Sequence, residues 1–204
     1  MEPSDTDSAT SAADLSIRRD RFLTFAVLFE GALSIGAMAL GSWVGIHPLE
    51  RLSFRPLPVL LGVFGALPPF ALFFVLFHLP FGPLRQIRTA VLDALGFELS
   101  LCRWWELLAL AFVTGFSEEL LFRGVFQQWI GFWWSNLLFG AVHWVTPLYA
   151  LWAGLMGLLM GGLMTFTGNL LTPILAHTLY DFMAFLVIAH TVRRQARESS
   201  STLP

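Results

Sequence analysis

The sequence predicts an all-α fold, a polytopic transmembrane helix bundle of about six spans, and three observations carry that prediction. The 204 residues are 56% hydrophobic and 13% charged, whereas soluble domains carry about 25% charged residues. Mean hydropathy is +0.68, and the chain holds 20 Phe and 8 Trp. Apolar runs of the length that crosses a hydrocarbon core recur along it, and such a core needs roughly 20 helical residues. Net charge is −2 and no basic patch stands out, so nucleic acid is excluded as a partner and membrane lipids are expected instead. Cys102 is the single cysteine, which excludes an internal disulfide and any multi-cysteine metal site.

Residues 1–20 are polar, acidic at first and short of apolar anchors. They are expected as a disordered cytoplasmic tail ahead of an uncleaved first span, because a cleavable leader begins basic and reaches its apolar stretch sooner. The transmembrane domain is expected over residues 21–192. Its first span runs from about Phe22 to Ile46 and its second from about Leu57 to Leu79. The third covers about Trp104 to Ile130, a long stretch expected to break near two glutamates. The fourth, about Phe132 to Val145, is short for a crossing and is read as tilted or buried in protein. The fifth covers about Leu148 to Phe166 and the sixth about Leu170 to Val192. Residues 193–204 form a polar C-terminal tail.

Arginine placement orients the bundle. Arg18, Arg19 and Arg21 precede the first span, Arg85, Arg88 and Arg103 occupy the loop after the second, and Arg193, Arg194 and Arg197 follow the sixth. In a six-span arrangement these fall on one side, against Arg51 and Arg55 on the other. The positive-inside rule then places both termini in the cytoplasm, and the plasma (inner) membrane is the expected location. Gly154, Gly157 and Gly161 share one face of the fifth span, and Gly41 and Gly45 end the first. Such faces let backbones approach closely, and packing within the bundle is favoured over dimerisation.

Against this apolar background the ionisable residues stand out, because charge inside a membrane marks either a functional site or an internal ion-pair network. Glu118 and Glu119 are adjacent, so about 100° of helix rotation separates them and one cavity cannot receive both squarely. Glu119 and Arg123 are an i,i+4 pair with the carboxylate first, the favourable order. This makes Glu119–Arg123 the structural pair and leaves Glu118 as the working carboxylate. His177 and Asp181 share one helix face, as do Phe139 and His143. At ~1.5 Å per residue Glu118 lies ~21 Å along the third span, ~9 Å from the far face of a ~30 Å core. His143 lies ~16 Å and His177 ~11 Å from that same face by the same rise, so three spans deliver polar groups to overlapping depth.

Two related chemistries suit a carboxylate and two imidazoles meeting there. In one, the carboxylate takes a proton from water while a histidine assists. In the other, His143, His177 and Glu118 bind a Zn²⁺-like ion with water in the open position. An ionised Asp181 cannot hold an oxyanion; it orients His177 or a metal, or acts protonated. A hydrogen-bonded core residue is the bland reading for either histidine alone. Glu30, inside the first span, reads as structural rather than catalytic. Glu106 reads as interfacial, His47, His78 and His190 as span-end residues, and Trp104–Trp105 and Trp133–Trp134 as interfacial anchors.

Three motifs in order resemble those of the CPBP family of intramembrane proteases, which includes type II CAAX prenyl endopeptidases and bacteriocin-processing, Abi-like relatives. They are Glu118-Glu119-Leu-Leu-Phe-Arg123, Phe139-Gly-Ala-Val-His143 and His177-Thr-Leu-Tyr-Asp181, and the resemblance covers about residues 104–191. It implies hydrolysis of a peptide bond of a membrane-associated peptide or protein, by a metallo- or glutamate-type mechanism. It also implies Glu118 as the water-activating residue, with Glu119 and Arg123 in support. His143 becomes a second catalytic or metal-binding group, and His177 with Asp181 stabilises the oxyanion or completes a metal site. Many relatives carry Asn where this chain has Asp181. The rival readings are a non-catalytic membrane scaffold or immunity protein and a proton or ion carrier. Ionisable groups crowded into the C-terminal half count against the carrier, because transporters tend to show matched halves.

Overall fold

The computed structural model describes residues 5–79 and 82–201, and among these every regular element is helical. The elements are α1 Asp5–Val44, a 3₁₀ turn Pro48–Arg51, α2 Pro56–Gly65, α3 Leu67–His78, α4 Gly82–Val91, α5 Phe97–Leu101, α6 Trp104–Leu121, α7 Gln127–Trp129, α8 Phe132–Val142, α9 Pro147–Thr167 and α10 Leu171–Ser201. Two π turns, Leu92–Gly96 and Phe122–Phe126, join α4 to α5 and α6 to α7.

Four stretches are long and apolar enough to cross a membrane: Ala13–Val44, Pro56–Val75, Pro147–Thr167 and Leu171–Ser199. The six-span count is therefore approximate. Helix α6 carries Glu106, Glu118 and Glu119 within its 18 residues and packs mainly against α1 and α10. Helix α8 has 11 residues, a length of about 16 Å, roughly half a hydrocarbon core. It ends at His143 instead of crossing.

Three stretches read as tails or a loop carry helix in the structure. The first helix starts at Asp5, inside the segment expected as a disordered tail. Arg18 reaches Glu98 at 2.5 Å and Arg19 approaches Glu106 at 3.7 Å, so this polar stretch has partners in the fold. The last helix likewise runs to Ser201, and Arg193 donates to the carbonyls of Ser100 and Cys102 at 2.9 and 2.5 Å. Residues 1–4 and 202–204 of the two expected tails lie outside the described residues. The expected loop after the second span contains α4 and α5 instead. Helix α4 is amphipathic, with Ile87 and Val91 turned to an internal chamber and Arg85 and Thr89 to a second recess.

Polar contacts define the two ends of the bundle. Segments bearing Arg18, Arg19, Arg103 and Arg193 gather at one end through the pairs with Glu98, Glu106, Ser100 and Cys102. At the other end Asn169, between α9 and α10, clasps Ser53. It accepts from the Ser53 N–H at 3.2 Å and donates to the Ser53 carbonyl at 2.7 Å, while Leu170 N–H donates to the Arg51 carbonyl.

Close backbone approach sets where the polar turns of α6 and α8 lie. A Cβ on Gly115 would stand 2.8 Å from Thr178 Oγ1, and one on Gly140 would stand 2.9 Å from the Ala150 carbonyl oxygen. Glycine thus brings α6 onto α10 one turn before the paired glutamates, and α8 onto α9 one turn before His143. The small-residue face of α9 also packs inside the bundle. Cβ atoms on Gly157 and Gly161 would meet Asn136, Phe139 and Phe132 of α8 and Gln127 of α7 within 3.3 Å.

Candidate active site

Glu118 and Glu119 occupy the last turn of α6, immediately before the π turn that holds Arg123. Such turns occur often at functional sites because the extra residue per turn re-aims the side chains beyond it. Glu119 and Arg123 are both fully buried, and Arg123 Nη1 donates to Glu119 Oε1 at 3.0 Å. The other arm of the guanidinium donates to the Gly157 carbonyl at 2.7 Å and to Asn136 Oδ1 at 3.2 Å. The Asn136 amide is itself turned by donating to the Phe132 carbonyl at 2.7 Å. Phe139 lies under the cation, 4.7 Å from ring centroid to guanidinium carbon, a cation–π contact strengthened by exclusion of water. Arg123 therefore pins α6, α8 and α9 together.

Glu119 does more than pair with arginine. Its Oε1 also contacts His177 Nδ1 at 2.8 Å. A carboxylate accepting from a guanidinium has lone pairs to offer and no proton, so Nδ1 carries the hydrogen and donates. That fixes the ring with Nε2 facing Asp181 Oδ2 at 3.4 Å and Glu118 Oε2 at 3.9 Å. His143 is fixed in the same way: Nδ1 donates to the Phe139 carbonyl at 2.8 Å, one turn back on α8. Its Nε2 faces Glu118 Oε1 at 3.6 Å, beyond direct hydrogen-bond range.

The geometry thus separates the paired glutamates. Glu119 is sealed between Arg123 and His177, whereas Glu118 turns to His143, His177 and an internal chamber of about 380 Å³. That size lies within the usual range for small-ligand sites. Glu118, His143, His177 and Asp181 all line the chamber. Glu118 Oε2 and Glu119 Oε2 are both buried without a hydrogen-bond partner among the described residues, but of the two glutamates only Glu118 lines the chamber. All six residues singled out in the three motifs are brought together, including Arg123 through Glu119.

Other residues join the site that the motifs do not include. Glu30 of α1 is buried and lines the chamber. It accepts from Thr114 Oγ1 at 3.4 Å and makes a short contact with Ser117 Oγ, both on α6. Tyr149 and Tyr180, the two tyrosines of the chain, also line it, and Tyr180 accepts from Trp152 Nε1 at 3.3 Å. Phenolic hydroxyls placed in an otherwise Phe-rich chain were the available signal for these two. Glu106 proves to be a cap, accepting from the Arg103 N–H at 2.6 Å.

Among the described residues no group of three or more His, Cys, Asp or Glu side chains is disposed to hold a metal ion. The donor set expected for a Zn²⁺-like ion is not pre-formed in this arrangement.

Residues 100–183 match a family model described as type II CAAX prenyl endopeptidase Rce1-like, and this interval contains all six motif residues. The chain is also 36% identical over 79 residues to the uncharacterized protein YpbD of Bacillus subtilis (strain 168), over 37% of this chain and 42% of the relative. It therefore spans about two fifths of the length of that curated relative. No solved structure matches the chain. Residues 100–183 are thus similar to the Rce1-like family, and the helical bundle with its four long apolar helices is that of an integral membrane protein.

Proposed function

We propose that this chain, Rce1-like over residues 100–183, is an intramembrane endopeptidase that hydrolyses a peptide bond of a membrane-associated peptide or protein. The observation that carries this reading is Glu118: a half-buried carboxylate on the wall of the chamber, with one oxygen 3.6 Å from His143 Nε2 and the other 3.9 Å from His177 Nε2, whereas Glu119 does not line the chamber.

In this reading Glu118 and His143 Nε2 accept the two hydrogens of a water, which leaves its oxygen lone pair directed into the chamber. Attack on the scissile carbonyl carbon forms the new C–O bond as Glu118 takes one proton. His177, held at Nδ1 by Glu119 and carrying a second proton at Nε2 opposite Asp181, donates that Nε2–H to the developing oxyanion. When the tetrahedral centre collapses, the C–N bond breaks and Glu118 returns its proton to the departing amine, so atoms and charge balance. Asp181 orients His177, and Arg123 holds Glu119 in place.

Access follows the chamber. It extends from Glu118 and His143 to Phe22, Leu99 and Arg88, residues near the arginine-rich end. A substrate entering from that end, which the positive-inside rule makes cytoplasmic, reaches the carboxylate without crossing the bundle.

The test is cleavage of a panel of membrane-associated peptides by purified protein in micelles, with Glu118→Ala and His177→Ala alongside, each with and without a chelator. Cleavage by the wild type and loss in both variants is the expected result. Full activity in both variants would sink the assignment. Loss with chelator and recovery with Zn²⁺ would move the mechanism to a metal. A folded wild type inert to every peptide that still binds a membrane partner would favour a scaffold.

A further inference from the structure

We propose that a basic recess at the arginine-rich end binds the phosphate of an anionic phospholipid, whose acyl chain enters the apolar mouth of the chamber. The recess, about 370 Å³, is lined on its polar side by His78, Arg85, Arg88, Thr89 and Gln195 and contains no carboxylate. Among the described residues neither Arg85 nor Arg88 has an ion pair. Arg88 Nε is buried without a hydrogen-bond partner, and its guanidinium lies 5.2 Å from the Phe77 ring centroid. At this end Arg18 pairs with Glu98, Arg19 with Asp20 and Arg194 with Glu198, and Arg193 donates to two carbonyls, while Arg21, Arg103 and Arg197, also without an ion pair among the described residues, do not line the recess. Two guanidiniums without counter-charge in one recess are an unmet demand for an anion, and paired arginines match phosphate oxygens.

Arg88 identifies the rest of the ligand, because it lines both the recess and the chamber. On its chamber side the wall is Phe77, Ile87, Val91, Leu95 and Ile188. A molecule filling both spaces carries an anionic head joined to an apolar chain. Basic recesses on the cytoplasmic side of membrane proteins meet the leaflet where anionic lipids are concentrated. A phospholipid therefore fits better than a free anion, which would use the recess alone, or a peptide terminus, which would bring polar backbone into the apolar mouth. The lipid's acyl chain would share the route to Glu118, so occupancy would compete with any chamber ligand. The inference rests on the recess and not on the peptidase reading, and its readout is binding.

The experiment is a thermal-unfolding titration of the purified chain in neutral detergent with dioctanoyl-phosphatidylglycerol, dioctanoyl-phosphatidylcholine or inorganic phosphate. The glycerol lipid is expected to stabilise the wild type at concentrations about 10- to 100-fold lower than the choline lipid, the weight of one or two charge-assisted hydrogen bonds. Arg85→Gln with Arg88→Gln should remove that difference, whereas Arg51→Gln with Arg55→Gln, at the opposite end, should keep it. If the double variant at the recess does not fold, Arg85→Gln alone, an exposed position, should weaken the effect in the same direction. Equal stabilisation by inorganic phosphate would overturn the lipid. Equal stabilisation by both lipids, or loss of the difference in the control variant, would overturn the site.

Discussion

The two sides of the last turn of α6 make opposite use of the same residue type. On one side Glu119 and Arg123 are wholly shielded and tied to α8, α9 and α10 through Asn136, Gly157 and His177. On the other side Glu118 keeps 14% of its side chain exposed, with His143 at 25%, on the wall of a chamber. On the proposed reading the difference separates holding from working. A buried charge network that fixes helices must be closed to water, because leaving one member unpaired is costly. A carboxylate that handles a proton needs an open oxygen. Adjacency in sequence obliges the two roles to point apart by about 100° on one helix, so the sealed network can brace the group that remains open.

The comparison is broken most directly by exchanging each glutamate for its neutral isostere. Glu118→Gln should lower cleavage by about 10²- to 10⁴-fold, the range of general acid–base catalysis, with the unfolding midpoint little changed. If Glu118→Gln retained activity and Glu119→Gln alone abolished it at unchanged stability, the assignment of roles would be reversed. Next in size is Arg123→Met, which strands Glu119 without its cation and should cost about 3–5 kcal/mol of stability. Cys102 reports that loss. Burial pushes its thiol up to about 11, so at pH 8 only about 10⁻³ is thiolate and alkylation is slow while the fold holds. The thiol is protonated below that value, and only unfolding returns it to an ordinary range. Alkylation of Arg123→Met at the wild-type rate under mild denaturant would show that the network contributes little.

Much of this site was legible in the sequence because its decisive geometry is local. The i,i+4 spacing of Glu119 with Arg123, and of His177 with Asp181, follows from helical period alone, and both contacts form. The 100° divergence of Glu118 from Glu119 has the same origin. What could not be read is what depends on how helices meet. The contacts of Glu30 with Thr114 and Ser117 join α1 to α6 across more than 80 positions, and no periodicity encodes them. Asn136 looks like any polar residue in α8 until Arg123 arrives beside it. Helix α4 was hidden because Arg85 and Arg88 read as part of a loop after the second span, and its amphipathic face has meaning only beside the chamber. The short α8 posed the opposite problem. Its apolar composition suggested a crossing, whereas its length brings His143 only partway and thereby into the site.

The approach of α6 to α10 offers a smaller perturbation that leaves every charged group intact. Gly115→Ala places a Cβ 2.8 Å from Thr178 Oγ1 and 3.0 Å from the Thr178 backbone nitrogen, so the helices must separate. Overpacking of this kind costs about 1–3 kcal/mol. Because the displaced turn carries Glu118 and faces His177, cleavage should fall by up to about 10²-fold, as for a misplacement near 1 Å. A variant that lost stability with cleavage per folded molecule unchanged would show that the site tolerates this movement. The sealed network would then matter less for bracing Glu118 than the contrast implies.

The smallest effect is expected at Asp181, and it tests how far the open side depends on charge. Asp181 Oδ2 stands 3.4 Å from His177 Nε2, while Nδ1 of the same ring is already held at 2.8 Å by Glu119. Asp181→Asn keeps an oxygen of the same shape at that position and can add an N–H donor towards the chamber. If Asp181 orients the ring, the substitution should leave cleavage within about tenfold, the scale of one neutral hydrogen bond, whereas Asp181→Leu, which removes the acceptor, should cost more. If its negative charge is needed, Asn and Leu should be equally damaging. Measuring kcat separately from KM distinguishes a ring held slightly off its position from a substrate held more weakly. A rise in kcat for Asp181→Asn would mean that the native carboxylate opposes the oxyanion, and that Glu119 alone is sufficient to set His177.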